Sequence, residues 1–125
     1  MFGYNWQYLL THPFIVLKET YFYTKWFIQR GYRGYSDRDI WSVDGYLTSI
    51  IIPMLRVLQQ KKLGYPVNLT EERWNEILSD MIKGFEANQR LCNLDFEPNS
   101  DTTLLQYKSA YGLQLFAEHY NDLWD

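Results

Sequence analysis

The chain has 125 residues, with 12 Lys and Arg against 15 Asp and Glu, and a single cysteine. This length suits one helical domain spanning residues 1–125, able to bury roughly two-thirds of its unfolded surface without a metal or disulfides. The net charge of −3 argues against a generic duplex-DNA binder, which needs broad cationic coverage of phosphates, and the lone Cys92 rules out both an intramolecular bridge and a cysteine-rich zinc site. A reducing compartment, the cytoplasm, is expected. With 11 Tyr, 7 Phe and 5 Trp, much of the packing must come from rings that carry a polar handle, and some of those rings should stay accessible.

Met1 to Leu10 lacks a cationic n-region, and Lys18, Glu19 and Lys25 interrupt the apolar run nearby, so neither a signal peptide nor a membrane span is expected. Thr11, His12 and Pro13 predict a helix start, since a hydroxyl accepts from free amides and proline suits the first turn. This helix is expected to reach about Arg30. It is apolar on two sides, with Phe14, Leu17, Tyr21 and Ile28 on one and Val16, Tyr23 and Phe27 on the other, so it is either central or covered by another subunit. Gly31 and Gly34 then interrupt helical continuity.

Ser36-Asp-Arg-Asp39 has the form of a capping box with Asp in place of Glu or Gln, opening a second helix to about Lys62. Pro53 lies inside it and predicts a kink near Ile50 to Ile52, and Gly64-Tyr-Pro66 ends it. Thr70-Glu-Glu-Arg73 opens a third helix whose Trp74, Ile77, Leu78, Met81, Ile82 and Phe85 recur at the spacing of a buried stripe. A polar connection from about Asn93 to Asp101 leads to a fourth helix from about Thr102 to Asp122. The fold class expected is all-α, a compact bundle of about four helices with a long Pro-kinked second helix.

Two charges interrupt this pattern. At about 100° per residue, Asp44 falls within the apolar face formed by Ile40, Leu47, Ile51, Met54, Leu55 and Leu58, and Lys108 falls within the face of Leu104, Tyr111, Leu115 and His119. Both would point inward, where a charge needs a partner or a water-filled cavity. Asp44 with Lys108, or Asp44 with an arginine of the 30–38 junction, are the candidate pairs. Two readings stand: a structural pair, or groups lining a ligand pocket. His12 and His119 share no metal-ligand spacing, no Ser, Thr or glycine motif marks a nucleophile or phosphate loop, and no catalytic residue, metal or cofactor is expected.

The junction from Arg30 to Trp41 holds the strongest functional case. Arg30, Arg33 and Arg38 can grip phosphate, Tyr32, Tyr35 and Trp41 can stack on a planar group, and the amides opening the second helix favour negative charge. Asp37 and Asp39 compete for the same arginines, so an interhelical turn neutralised by local acids is the alternative.

Three segments also carry a resemblance: Arg33-Gly-Tyr-Ser-Asp-Arg-Asp-Ile-Trp-Ser-Val-Asp44, Gly64-Tyr-Pro with Leu69-Thr-Glu-Glu-Arg-Trp-Asn-Glu-Ile-Leu78, and Leu115-Phe-Ala-Glu-His-Tyr-Asn-Asp-Leu-Trp-Asp125. Together they resemble a set of small hypothetical helical proteins of tailed bacteriophages. The resemblance implies a non-enzymatic phage accessory protein in the cytoplasm of an infected bacterium. Such a protein would counter host defence by sequestering a phosphorylated nucleotide signal as a homo-oligomer. Alternatively it would bind a host protein, as adaptor or inhibitor, or serve as a structural phage component.

Overall fold

The computed structural model describes residues 13–124, and every regular element among them is helical. The all-α class expected from the sequence is therefore observed, with four α-helices and no strand among the described residues. The expected helix start at Thr11 and His12, and the reading of Met1 to Leu10, lie outside them. The chain divides into two compact units, one up to Val43 and one from Asp44 onward.

In the first unit, helix α1 spans Pro13–Arg33 and is followed by a 3-10 turn at Asp37–Ser42. Gly31 does not interrupt α1. An added side chain there would meet nothing within 4 Å, so the residue costs only about 1 kcal/mol of helix propensity and the helix continues through it. The stop is Gly34, whose φ of +86° is left-handed and whose N–H donates to the Arg30 carbonyl at 2.9 Å. The Ser36–Asp39 box forms, but it caps the 3-10 turn rather than an α-helix.

The second unit holds α2 (Val43–Lys61, beginning at the last residue of the first unit), α3 (Glu71–Cys92), α4 (Thr103–Glu118) and a closing 3-10 turn at Tyr120–Asp122. Thr70 caps α3, its hydroxyl accepting from Arg73 N–H at 3.1 Å. Asp101 steadies the start of α4 by accepting from the backbone N–H and hydroxyl of Thr103. Pro53 lies inside α2.

The α3 stripe predicted from spacing is the core: Trp74, Ile77, Leu78, Met81, Ile82 and Phe85 are all buried. Full burial of such a side chain is worth roughly 1.5–3 kcal/mol. Against this stripe α4 packs at backbone distance. A Cβ placed on Gly84 would fall 2.4 Å from Gly112 Cα and 2.8 Å from the Lys108 carbonyl oxygen. The expected face of α4 is borne out at Leu115 and Tyr111 and corrected at Leu104 and Lys108. Ser109, Gly112 and Leu115 are the buried positions, while Leu104 and Lys108 are exposed. The small residues win because only they admit the α3 backbone.

The face of α2 is corrected too. Thr48, Ile52 and Leu55 are buried, whereas Leu47 and Met54 are exposed and so is Asp44. The buried face keeps Leu55 from the one expected, with Ile51 packed beside it, and turns toward Thr48 and Ile52, each a residue step of about 100° on from Leu47 and Ile51. Polar ties hold this orientation: Gln59 Nε2 donates to Ser79 Oγ at 2.8 Å and to the Asn75 carbonyl at 3.2 Å, and Arg56 pairs with Glu86.

The end of α3 contains a misfit. Asp95 N–H donates to the Arg90 carbonyl at 2.8 Å and Leu94 N–H to the Leu91 carbonyl at 3.2 Å, a Schellman closure that places Leu94 at φ +53°. Glycine is favoured there, so Leu94→Gly is expected to stabilise the protein by about 1 kcal/mol in urea unfolding. Gly84→Ala should do the reverse: overpacking at a helix crossing costs about 1–3 kcal/mol, lowering the melting temperature by several degrees, while Gly31→Ala leaves it unchanged or higher.

Candidate functional site

The 3-10 turn is strapped to the C-terminal half of α1 by four side chains, Lys25, Gln29, Arg30 and Arg33. Arg30 meets Asp39 as a fork, Nε to Oδ2 at 2.9 Å and Nη2 to Oδ1 at 2.5 Å. Asp39 Oδ2 also accepts from the Ser36 backbone N–H at 2.7 Å and from the Ser36 hydroxyl at 2.9 Å. Both Ser36 and Asp39 are buried. The Arg30 hydrogen bonds, reinforced by those from Ser36 and opposed by desolvation, hold the Asp39 carboxyl far below the usual carboxylate range.

Asp37 closes the second contact. Gln29 Nε2 donates to Asp37 Oδ2 at 2.9 Å while Asp37 N–H donates to Gln29 Oε1 at 2.8 Å. Arg33 reaches Asp37 Oδ1 at 2.6 Å, and Lys25 Nζ lies 3.7 Å from Oδ2. Gln29 first, then Arg33, lower the Asp37 carboxyl. Arg33 also donates to the Tyr35 carbonyl at 2.9 Å and lies 4.4 Å from the Tyr35 ring centroid.

Arg38 is the arginine these acids leave over. It has no carboxylate partner among the described residues; its guanidinium lies 5.2 Å from the Trp26 ring and 6.0 Å from the Tyr23 ring. It lines two clefts of the first unit. The larger, about 700 Å³, brings Arg38 together with Lys18, Lys25, Trp26 and Trp41. The smaller, about 480 Å³, also includes Tyr23, Phe27 and Arg30. Trp41 is 92% exposed, a large ring at the edge of this larger cleft, whose lining also includes the carboxylates of Glu19 and Asp37.

The residues expected to form one site thus fall into distinct places. Arg30 and Arg33 have their guanidinium groups engaged by Asp39 and Asp37, Tyr35 packs beneath Arg33, and Tyr32 is 91% exposed. Arg38 and Trp41 share the larger cleft. Asp44 and Lys108 belong to the second unit, and neither points inward. Asp44 accepts from Gly45 N–H at 2.8 Å, and the Cys92 thiol lies 3.3 Å from its other oxygen. Lys108 makes no ion pair among the described residues, so the expected Asp44–Lys108 pair is not formed. Its stem follows an exposed face while its backbone carbonyl lies at the Gly84 crossing.

Sequence reasoning missed Lys18, Lys25, Tyr23 and Trp26. Their signal was present in the helical spacing of Phe22 and Trp26, which places two rings on the side of α1 that the turn folds against. Among the described residues no group of His, Cys, Asp and Glu could hold a metal ion, and no helix is long and apolar enough to cross a membrane. Compared with protein-family models, curated proteins and solved structures, the chain matches none.

The buried carboxylate gives a pH test. A folded-state pKa below the unfolded value of about 3.9 contributes stability that is complete above that value and disappears as pH falls toward the folded pKa. Asp37 and Asp101, also lowered, act in the same direction. Asp39→Asn is therefore expected to weaken the protein at pH 7 and to flatten the loss of stability between pH 5 and 2, measured by urea unfolding across that range. An unchanged slope would mean that Asp39 is not ionised and paired as described.

Proposed function

We propose that the chain is a non-enzymatic binding protein whose first unit takes a planar anionic ligand of the nucleotide class. The observation that carries this reading is Arg38. It lies over Trp26 and Tyr23 without a carboxylate partner among the described residues, in a cleft that also holds Lys18, Lys25 and the exposed Trp41. Arg38 contacts phosphate, Lys18 adds cationic charge while Lys25 is shared with Asp37, and Trp41 offers a face to the base. Arg30 and Arg33 build the platform instead of touching the ligand. Asp44 and Lys108 belong to the second unit and are not among the residues lining this cleft. In the setting implied by the phage resemblance, binding is sequestration of a defence signal in the cytoplasm of the infected host.

A second reading, a protein-binding adaptor or a homo-oligomer, is favoured by α1 itself. None of its residues is buried, and Phe14, Leu17, Tyr21, Phe27 and Ile28 are exposed.

Calorimetric titration with mono- and dinucleotides separates the two. Under the first reading Arg38→Ala weakens binding by roughly 10- to 100-fold, the worth of one charged hydrogen-bonding group, and Trp41→Ala by about tenfold or more. Raising the salt weakens binding further. Absence of heat with every nucleotide tried, or full affinity in Arg38→Ala, would remove the first reading and leave the second.

A further inference from the structure

We propose that the groove between α2 and α4 in the second unit is a docking site for an amphipathic helix of a partner protein, one that carries a carboxylate at the end of its apolar face. Helix α2 has two apolar stripes. Ile52 and Leu55 face the α3 core. About 100° away, Leu47, Ile51, Met54 and Leu58 recur at alternating steps of four and three, the spacing of a seam that receives side chains from another helix. Across from this seam stand Phe116, Tyr120 and Leu123, and the space between has a volume of about 960 Å³. Met54 is 64% and Tyr120 62% exposed, so the groove is open along its length.

Charge selects the occupant. The next step of three along the seam reaches Lys61, the one charged residue lining the groove, which has no ion-pair partner among the described residues. An apolar trough ending in a single cation favours an apolar surface ending in an anion and penalises one ending in a cation. Length selects a helix: Leu47 to Lys61 spans about 21 Å at 1.5 Å per residue, the reach of roughly four turns. The unbranched, polarisable Met54 at mid-groove adapts to side chains of differing shape. The groove lies wholly in the second unit and does not depend on the cleft around Arg38.

The full chain would be titrated, by fluorescence polarisation, into stapled peptides of about 14 residues, enough to span the groove as helix. The peptides share one leucine seam and carry Glu or Lys at either end of it. A Glu peptide is expected to bind at least tenfold tighter than its Lys counterpart, Lys61→Glu to invert that preference, and Met54→Asp to abolish binding. Met54 is exposed, so its variant should keep the circular dichroism and melting temperature of the parent. Equal binding of Glu and Lys peptides, no binding of any of them, or binding that survives Met54→Asp would overturn the proposal. So would a dimer in light scattering that Met54→Asp dissociates, since a second copy would then occupy the groove.

Discussion

The contact between the backbones of Gly84 and Gly112 sets the geometry on which the second unit depends. Because no Cβ separates α3 from α4 there, the helices approach until main-chain atoms touch. That approach brings Leu115 and Phe116 onto the stripe of Ile77, Leu78, Met81 and Phe85, with the Phe85 and Phe116 rings edge to face at 5.2 Å. It also places His119 against Trp74 and near Asp122, so this histidine is held in an aromatic and carboxylate setting at the end of the helix. α2 packs differently, through long side chains such as Gln59 and Arg56. One side of the core is therefore closed at backbone distance and the other is spaced by side chains.

In the first unit the corresponding constraint is electrostatic. Asp39 is buried and accepts from three donor groups, which determines where the 3-10 turn sits on α1. Arg38 is its sequence neighbour, so the direction of Arg38 follows from the placement of Asp39. Arg30 and Arg33 supply the structural contacts, and Arg38 is left for the aromatic cleft. Removing charge at Arg30 and removing it at Arg38 thus act on different links: one on the shape of the turn, the other on what the turn presents.

How much was legible in the sequence follows from the same physics. The α3 stripe could be read because large apolar residues at helical spacing have one sensible place to go. The inward faces of α2 and α4 could be read only in part, at Leu55 and Leu115. In α2, Ile51, Leu55 and Leu58 fit either of two overlapping stripes, and hydrophobicity cannot tell a filled face from an open one. In α4, the decisive positions are Ser109 and Gly112, which carry no hydrophobic signal and matter through what they lack. The residue types of the Arg30–Trp41 junction correctly marked a place where charges and rings gather. Their spacing could not say which carboxylate takes which guanidinium, because Asp37 and Asp39 lie within reach of several.

Cys92 has a consequence of a different kind. Its thiol is on the surface, 3.1 Å from Asn88 Oδ1 and 3.3 Å from an Asp44 oxygen. Partial desolvation first, and then that carboxylate, push its acidity down, so the fraction present as thiolate at neutral pH is smaller than for an ordinary cysteine. Since the thiolate is the species that attacks disulfides and electrophiles, the chain's one thiol is a slow nucleophile despite its accessibility. A concentrated preparation held in air should accordingly resist covalent cross-linking between chains, its durability resting on partial burial and a neighbouring negative charge.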